Sequence, residues 1–132
     1  MAENLINTPD NRMRLLGKLT EHIGAHNAVG MAELYEAVFG RPWNHKINDT
    51  RDLRHLVTIL REEGVPICSV SSQSGGGYYL AAAGSELTDY LRRGERRALS
   101  ILSRNARIKK ISLPNYLGQI KLGMEGNREE AA

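Results

Sequence analysis

The chain is 132 residues long, 41% hydrophobic, 25% charged and 5% aromatic, with a formal net charge of +3. That length holds one domain, with or without tails, and excludes a multi-domain enzyme, while the apolar share supports a folded core. The single cysteine, Cys68, excludes an intramolecular disulfide framework and a Cys-rich zinc site; no apolar run approaches the roughly 20 residues of a membrane span, and no signal-peptide pattern opens the chain. The expectation is a soluble, cytoplasmic protein. The charge is unevenly spread. Residues 92–110 carry eight basic side chains and one acidic, net +7, so the rest of the chain is net negative. A local excess of that size attracts polyanions even when the total charge is small.

Residues 1–10 read as a flexible polar lead-in, with Asp10 or Asn11 as the cap of a first helix. Over residues 12–25, Leu15, Leu16, Leu19 and Ile23 fall on one side at 100° per residue, with Arg14, Lys18 and Glu21 opposite. After a connector at 26–30, a second helix is predicted over 31–39, ended by Gly40 and followed by Pro42. Residues 41–48 read as a loop anchored by Trp43. A third helix is predicted from residue 49 or 50 to Gly64, with Leu53, Leu56, Val57 and Leu60 as its apolar stripe. Residues 65–72 and 78–80 have strand character, and Gln73 to Gly77 reads as a Gly-rich hairpin turn of about five residues. Ser85 caps a long fourth helix reaching about residue 108, Pro114 permits a short last helix over 115–122, and residues 123–132 read as a disordered tail.

The order helix, helix, helix, two-strand hairpin is that of a winged helix-turn-helix domain. Residues 52–81 resemble the recognition helix and wing of biotin-repressor-type regulators and phage DNA-binding proteins. The residues that carry the resemblance are Leu60, Gly64 and Val65, the glycines 75–77, Tyr78 or Tyr79, and Leu80. With the first two helices the resemblance spans about 70 residues. It implies an α+β, mostly α fold with a winged-helix domain at 11–82, a C-terminal helical extension at 84–122, and binding to double-stranded DNA. Two departures stand out: the stretch between the second and third helices is longer than the usual turn, and no Lys or Arg lies between Val65 and Leu91, where family wings often reach phosphates.

Two surfaces carry the expected chemistry. The outer face of the third helix presents Thr50, Arg51, Arg54, His55 and Thr58, residue types that read base edges or grip phosphates in a major groove. On the fourth helix, Arg92, Arg93, Arg96, Arg97, Arg104, Arg107 and Lys110 fall within an arc of about 140°, opposite Leu87, Tyr90, Leu91, Ala98, Ile101, Leu102 and Ile108. Arginine forks hold two phosphate oxygens at once. The alternative for each stripe is the solvated face of an ordinary surface helix, for the fourth helix also a face paired with acids in a dimer; an anionic membrane or a calmodulin-like partner is a weaker fit for the fourth helix. Gln73 is the wing's candidate contact in the absence of basic residues there. His22 and His26 have an i, i+4 metal-chelating spacing but no third ligand in sequence, and Cys68 reads as a buried thiol. Gly75–Gly77 lacks the Lys-Ser/Thr of a phosphate loop, and nothing commits a constellation to catalysis. The expected function is duplex binding without cofactor, metal or small-molecule substrate, by a homodimer acting in transcription or as a phage replication accessory. The rival is a winged-helix protein-interaction module; single-stranded or RNA binding would need more aromatic platforms.

Overall fold

The computed structural model describes residues 5–44, 46–72 and 75–131. The chain is α+β and mostly helical, and it divides into two compact units, Met1–Thr88 and Asp89–Ala132. In chain order the elements are α1 (Pro9–Leu19), a 3-10 turn (Ala25–Asn27), β1 (Val29–Gly30), α2 (Met31–Phe39), α3 (Lys46–Glu62), β2 (Ile67–Ser72), β3 (Gly75–Leu80), α4 (Ser85–Lys109) and α5 (Leu113–Ala131).

In the first unit α1 opens two to three residues earlier than the sequence suggests. The Thr8 hydroxyl, not Asp10 or Asn11, caps it by accepting from the Asn11 N–H at 3.1 Å, and Pro9 takes the first turn, where its missing N–H costs nothing. The described part of the lead-in is anchored: Ile6 joins the core, and its carbonyl accepts from the Asn11 side-chain amide at 2.9 Å. The helix stops at Leu19, well short of residue 25. Beyond it Leu80 N–H donates to the His22 carbonyl at 3.0 Å and Gly24 N–H donates to the Leu80 carbonyl at 2.9 Å, while Gly24 sits at φ 94°. The backbone of residues 22–24 therefore finds its partners beside β3, and Ile23, apolar and in helical phase, stands half exposed outside the helix.

The reading of α2 holds. Leu34, Tyr35 and Val38 are buried, and Gly40 closes the helix at φ 67° with its N–H on the Glu36 carbonyl. By contrast α3 begins at Lys46, three residues before the expected start, so the loop after α2 is shorter. Trp43 packs against the core as expected of an anchor, although its indole N–H is buried and finds no acceptor among the described residues. Leu53, Leu56, Val57 and Leu60 turn inward from α3 and meet Leu15, Leu19, Leu34, Val38 and Ile67. Leu56 is wholly buried, so Leu56→Ala should cost about 3 kcal/mol in a urea unfolding curve, whereas Ile47→Ala, at a side chain 67% exposed, should stay within about 0.5 kcal/mol of the parent.

The sheet has three antiparallel strands in the order β1-β3-β2, not the two strands of a bare hairpin. Ser72 pairs with Gly75, so the glycines expected in a five-residue turn belong to β3 and only residues 73 and 74 connect the strands. The reason lies in β1. Gly77 pairs with Gly30, and a Cβ built on Gly77 would stand 2.5 Å from the Val29 carbonyl oxygen. Glycine is used there for close backbone approach rather than for a positive φ.

A surface clamp joins α1 to the end of α3. Arg12 donates from one guanidinium nitrogen to Glu63 Oε2 at 2.8 Å and from the other to Oε1. The bidentate bond lowers the Glu63 pKa from its usual 4.5 and raises that of Arg12. Because the folded-state carboxyl is the stronger acid, its contribution is present above pH 4.5 and fades as pH falls through the lowered value. A carbon-detected NMR titration should place the Glu63 midpoint below 4.5 in the parent and return it to about 4.5 in Arg12→Ala. An unmoved midpoint would mean that the clamp does not persist in solution.

The second unit is the larger part of α4 together with α5. Lys110 takes φ 60°, and the Ile111 N–H donates back to the Ala106 carbonyl at 3.0 Å, which turns the chain between the two helices. Lys110 therefore lies in the turn, outside the helical projection that placed it on the arginine stripe. The last helix runs on past residue 122 to Ala131, so the expected disordered tail is helical up to that residue. With Pro114 spent in the first turn and no later proline, the Lys, Met, Glu and Arg residues that follow keep helix favourable through Gly118, Gly123 and Gly126.

Candidate nucleic-acid interface

The outward side of α3 follows from its inward one. Once Leu53, Leu56, Val57 and Leu60 are buried, helical geometry leaves Arg51, Arg54 and Thr58 exposed and Thr50 and His55 half-buried. Neither Arg51 nor Arg54 has an ion-pair partner among the described residues, so both guanidinium groups are available. Arg61 shares this side, a residue that the sequence reading passed over. Its Nε donates to the Ile67 carbonyl at 2.7 Å and its guanidinium lies 5.6 Å from the Tyr78 ring centre, which ties the end of α3 to the hairpin. Gln73, the wing's candidate contact, lies outside the described residues. Cys68 is fully buried, as expected of a structural thiol.

In the second unit, Arg92, Arg93, Arg96, Arg97, Arg104 and Arg107 are all exposed along α4. None makes an ion pair among the described residues; Arg93 alone leans on a ring, 6.0 Å from the centre of Tyr90. Arg104 and Arg107, with Ser100, Ile101 and Ile108, border an open hollow of about 480 Å³. Lys109 points away from this stripe: its Nζ is 3.5 Å from Gln119 Oε1 and 5.6 Å from the Tyr116 ring centre. Six guanidinium groups without an ion-pair partner among the described residues repel one another along one helix.

The apolar side of α4, opposite the arginines, is largely uncovered within the second unit. Within the second unit Leu91, Ile101 and Ile108 are 52%, 49% and 71% exposed, and Ala106 alone is buried among the described residues. Side-chain packing with α5 is concentrated near the turn, where the Asn105 amide reaches the Tyr116 hydroxyl at 3.4 Å. Helical periodicity reveals that one side of α4 is apolar; it does not say what covers it.

The first turn of α4, still part of the first unit, is held by Glu86. Its carboxylate accepts from the Ala82 N–H at 2.8 Å and the Ala25 N–H at 3.2 Å, a clamp that no sequence motif announces. The i, i+4 geometry argued for His22 and His26 does not arise, because α1 ends at Leu19. His22 instead has Nδ1 2.8 Å from the Asn27 carbonyl and Nε2 3.8 Å from Glu33. No cluster of three potential metal ligands occurs among the described residues. Tyr35 has its pKa raised, first by burial and then by a hydrogen bond to Asp49, which places that hydroxyl in the contact between α2 and α3. Among the described residues no helix is long and apolar enough to cross a membrane. No protein-family model, curated protein or solved structure matches the chain.

Proposed function

We propose that this protein is a winged-helix binder of double-stranded DNA, serving in transcriptional regulation or as a replication accessory rather than as a catalyst. On this reading α3 enters the major groove, where Arg51 and Arg54 address base edges or phosphates, and the hairpin is the wing. The arginines of α4 hold phosphates, adding affinity that carries no sequence information. The observation that carries the reading is the α4 stripe: six exposed arginines without a carboxylate partner among the described residues. A second reading, a protein-contacting wing, draws on one observation, the absence of any Lys or Arg between Val65 and Leu91.

The test is an electrophoretic shift with random duplex at two salt concentrations. Six phosphate contacts predict a loss of about 10³ in affinity between roughly 50 and 200 mM salt. Duplex binding that ignores salt, or no binding to any duplex, would overturn the proposal.

A further inference from the structure

The uncovered side of α4 has an internal order. Leu91, Gly94, Ala98, Ile101, Asn105 and Ile108 succeed one another at spacings of three and four residues, the repeat of a helix-pairing seam. The seam runs for about 26 Å. It is exposed at Leu91, Ala98, Ile101 and Ile108, and half-buried at Gly94 and Asn105. Its polar member is Asn105, a residue type that sets register in such seams. The arginine stripe lies to one side, so the seam can be covered while most of the stripe stays in water.

We infer that this seam pairs two copies of the chain, with the α4 helices antiparallel. The seam is its own complement in that direction. With the twofold axis between Leu99 and Ser100, Ala98 faces Ile101 of the second copy, Gly94 faces Asn105 and Leu91 faces Ile108. Each small residue then meets a larger one. A parallel pairing would stack Gly94 on Gly94 and Ala98 on Ala98 and leave gaps, which packing disfavours. A stable interface needs about 800 Å² a side, more than six seam residues supply, and the second unit also exposes Leu117, Leu122 and Met124 on α5. The unit has reason to associate, since 44 residues with so little buried among those described are too few to hold a core alone.

The pairing brings Arg97 of one copy beside Arg104 of the other along one flank. Salt screens that repulsion, so dimerisation tightens as salt rises, the opposite of the dependence expected for duplex binding. The inference does not rest on the nucleic-acid reading.

Sedimentation equilibrium on the full chain tests it. The expected result is a species of twice the 14.7 kDa chain mass, weakened at least tenfold by Ile101→Glu and unchanged by Met13→Glu, a comparable charge on the exposed side of α1. Both variants should keep the parent's thermal unfolding of the first unit. Under oxidising conditions, a mixture of Ala98→Cys and Ile101→Cys chains should cross-link more than either chain alone. A parent that stays monomeric at high micromolar concentration, a dimer indifferent to Ile101→Glu, or preferential same-site cross-linking would each overturn the inference.

Discussion

Replacing Arg96 and Arg97 with alanine is expected to weaken duplex binding about 100-fold and to reduce the slope of log affinity against log salt by about 2. Each charge-assisted bond to phosphate contributes on the order of 1.5 kcal/mol, roughly a factor of ten. Each guanidinium withdrawn from a phosphate also takes about one released counterion out of the salt dependence. The loss should be the same for every duplex sequence, because phosphate contacts position the protein without reading bases. Arg54→Ala on α3 should behave differently if its fork meets a guanine: a cost of about 1–3 kcal/mol confined to sites carrying that base. Glutamate at positions 96 and 97 should abolish the shift altogether. Both side chains are exposed and unpaired among the described residues, so neither substitution should lower the thermal stability. Fluorescence anisotropy over a salt series gives slope and affinity together. An unchanged slope in the double alanine variant would remove α4 from the interface.

What could be read from the chain was whatever local chemistry decides. Gly40 and Pro42 punctuate α2 so firmly that its limits, Met31–Phe39, are visible in the sequence. The stripe Leu53, Leu56, Val57, Leu60 likewise tells which side of α3 is buried and hence which residues face outward. Where long-range pairing overrides local preference the reading fails. Ile23 is in phase with the apolar side of α1, yet Leu80 takes the backbone around it. Strand β1 is two residues long, too short for alternation to register. The glycines of β3 read as a turn because glycine most often marks positive φ, a preference that says nothing of a neighbouring carbonyl supplied from far away in the sequence. The arginine stripe was legible because it needs only a helix. The uncovered apolar side and the exit of Lys110 from the helical projection were not, since one depends on what packs against α4 and the other on how the chain leaves it.

Gly77→Ala should produce the largest loss of stability from a single methyl group in the first unit. The added carbon would lie 2.5 Å from the Val29 carbonyl oxygen and 3.1 Å from its carbon. Both are backbone atoms, fixed by the Val29–Tyr78 and Gly30–Gly77 pairing, so no side chain can swing aside to make room. Overpacking of this kind costs about 3 kcal/mol, which in a unit of this size is roughly 15 °C in melting temperature. The same substitution at Gly17 should act in the opposite direction. That residue lies inside α1 with nothing within 4 Å of a built Cβ, so alanine there gains helix propensity of about 0.8 kcal/mol. Gly76, whose Cβ would stand 3.1 Å from the Val70 carbonyl oxygen, should fall between the two. Thermal unfolding followed by circular dichroism ranks the three variants directly. The order Gly17→Ala, parent, Gly76→Ala, Gly77→Ala requires β1 to press against β3 in solution. A Gly77→Ala protein that melts with the parent would mean the third strand is not there to be displaced, and the hairpin would lose the element that braces it from the side opposite β2.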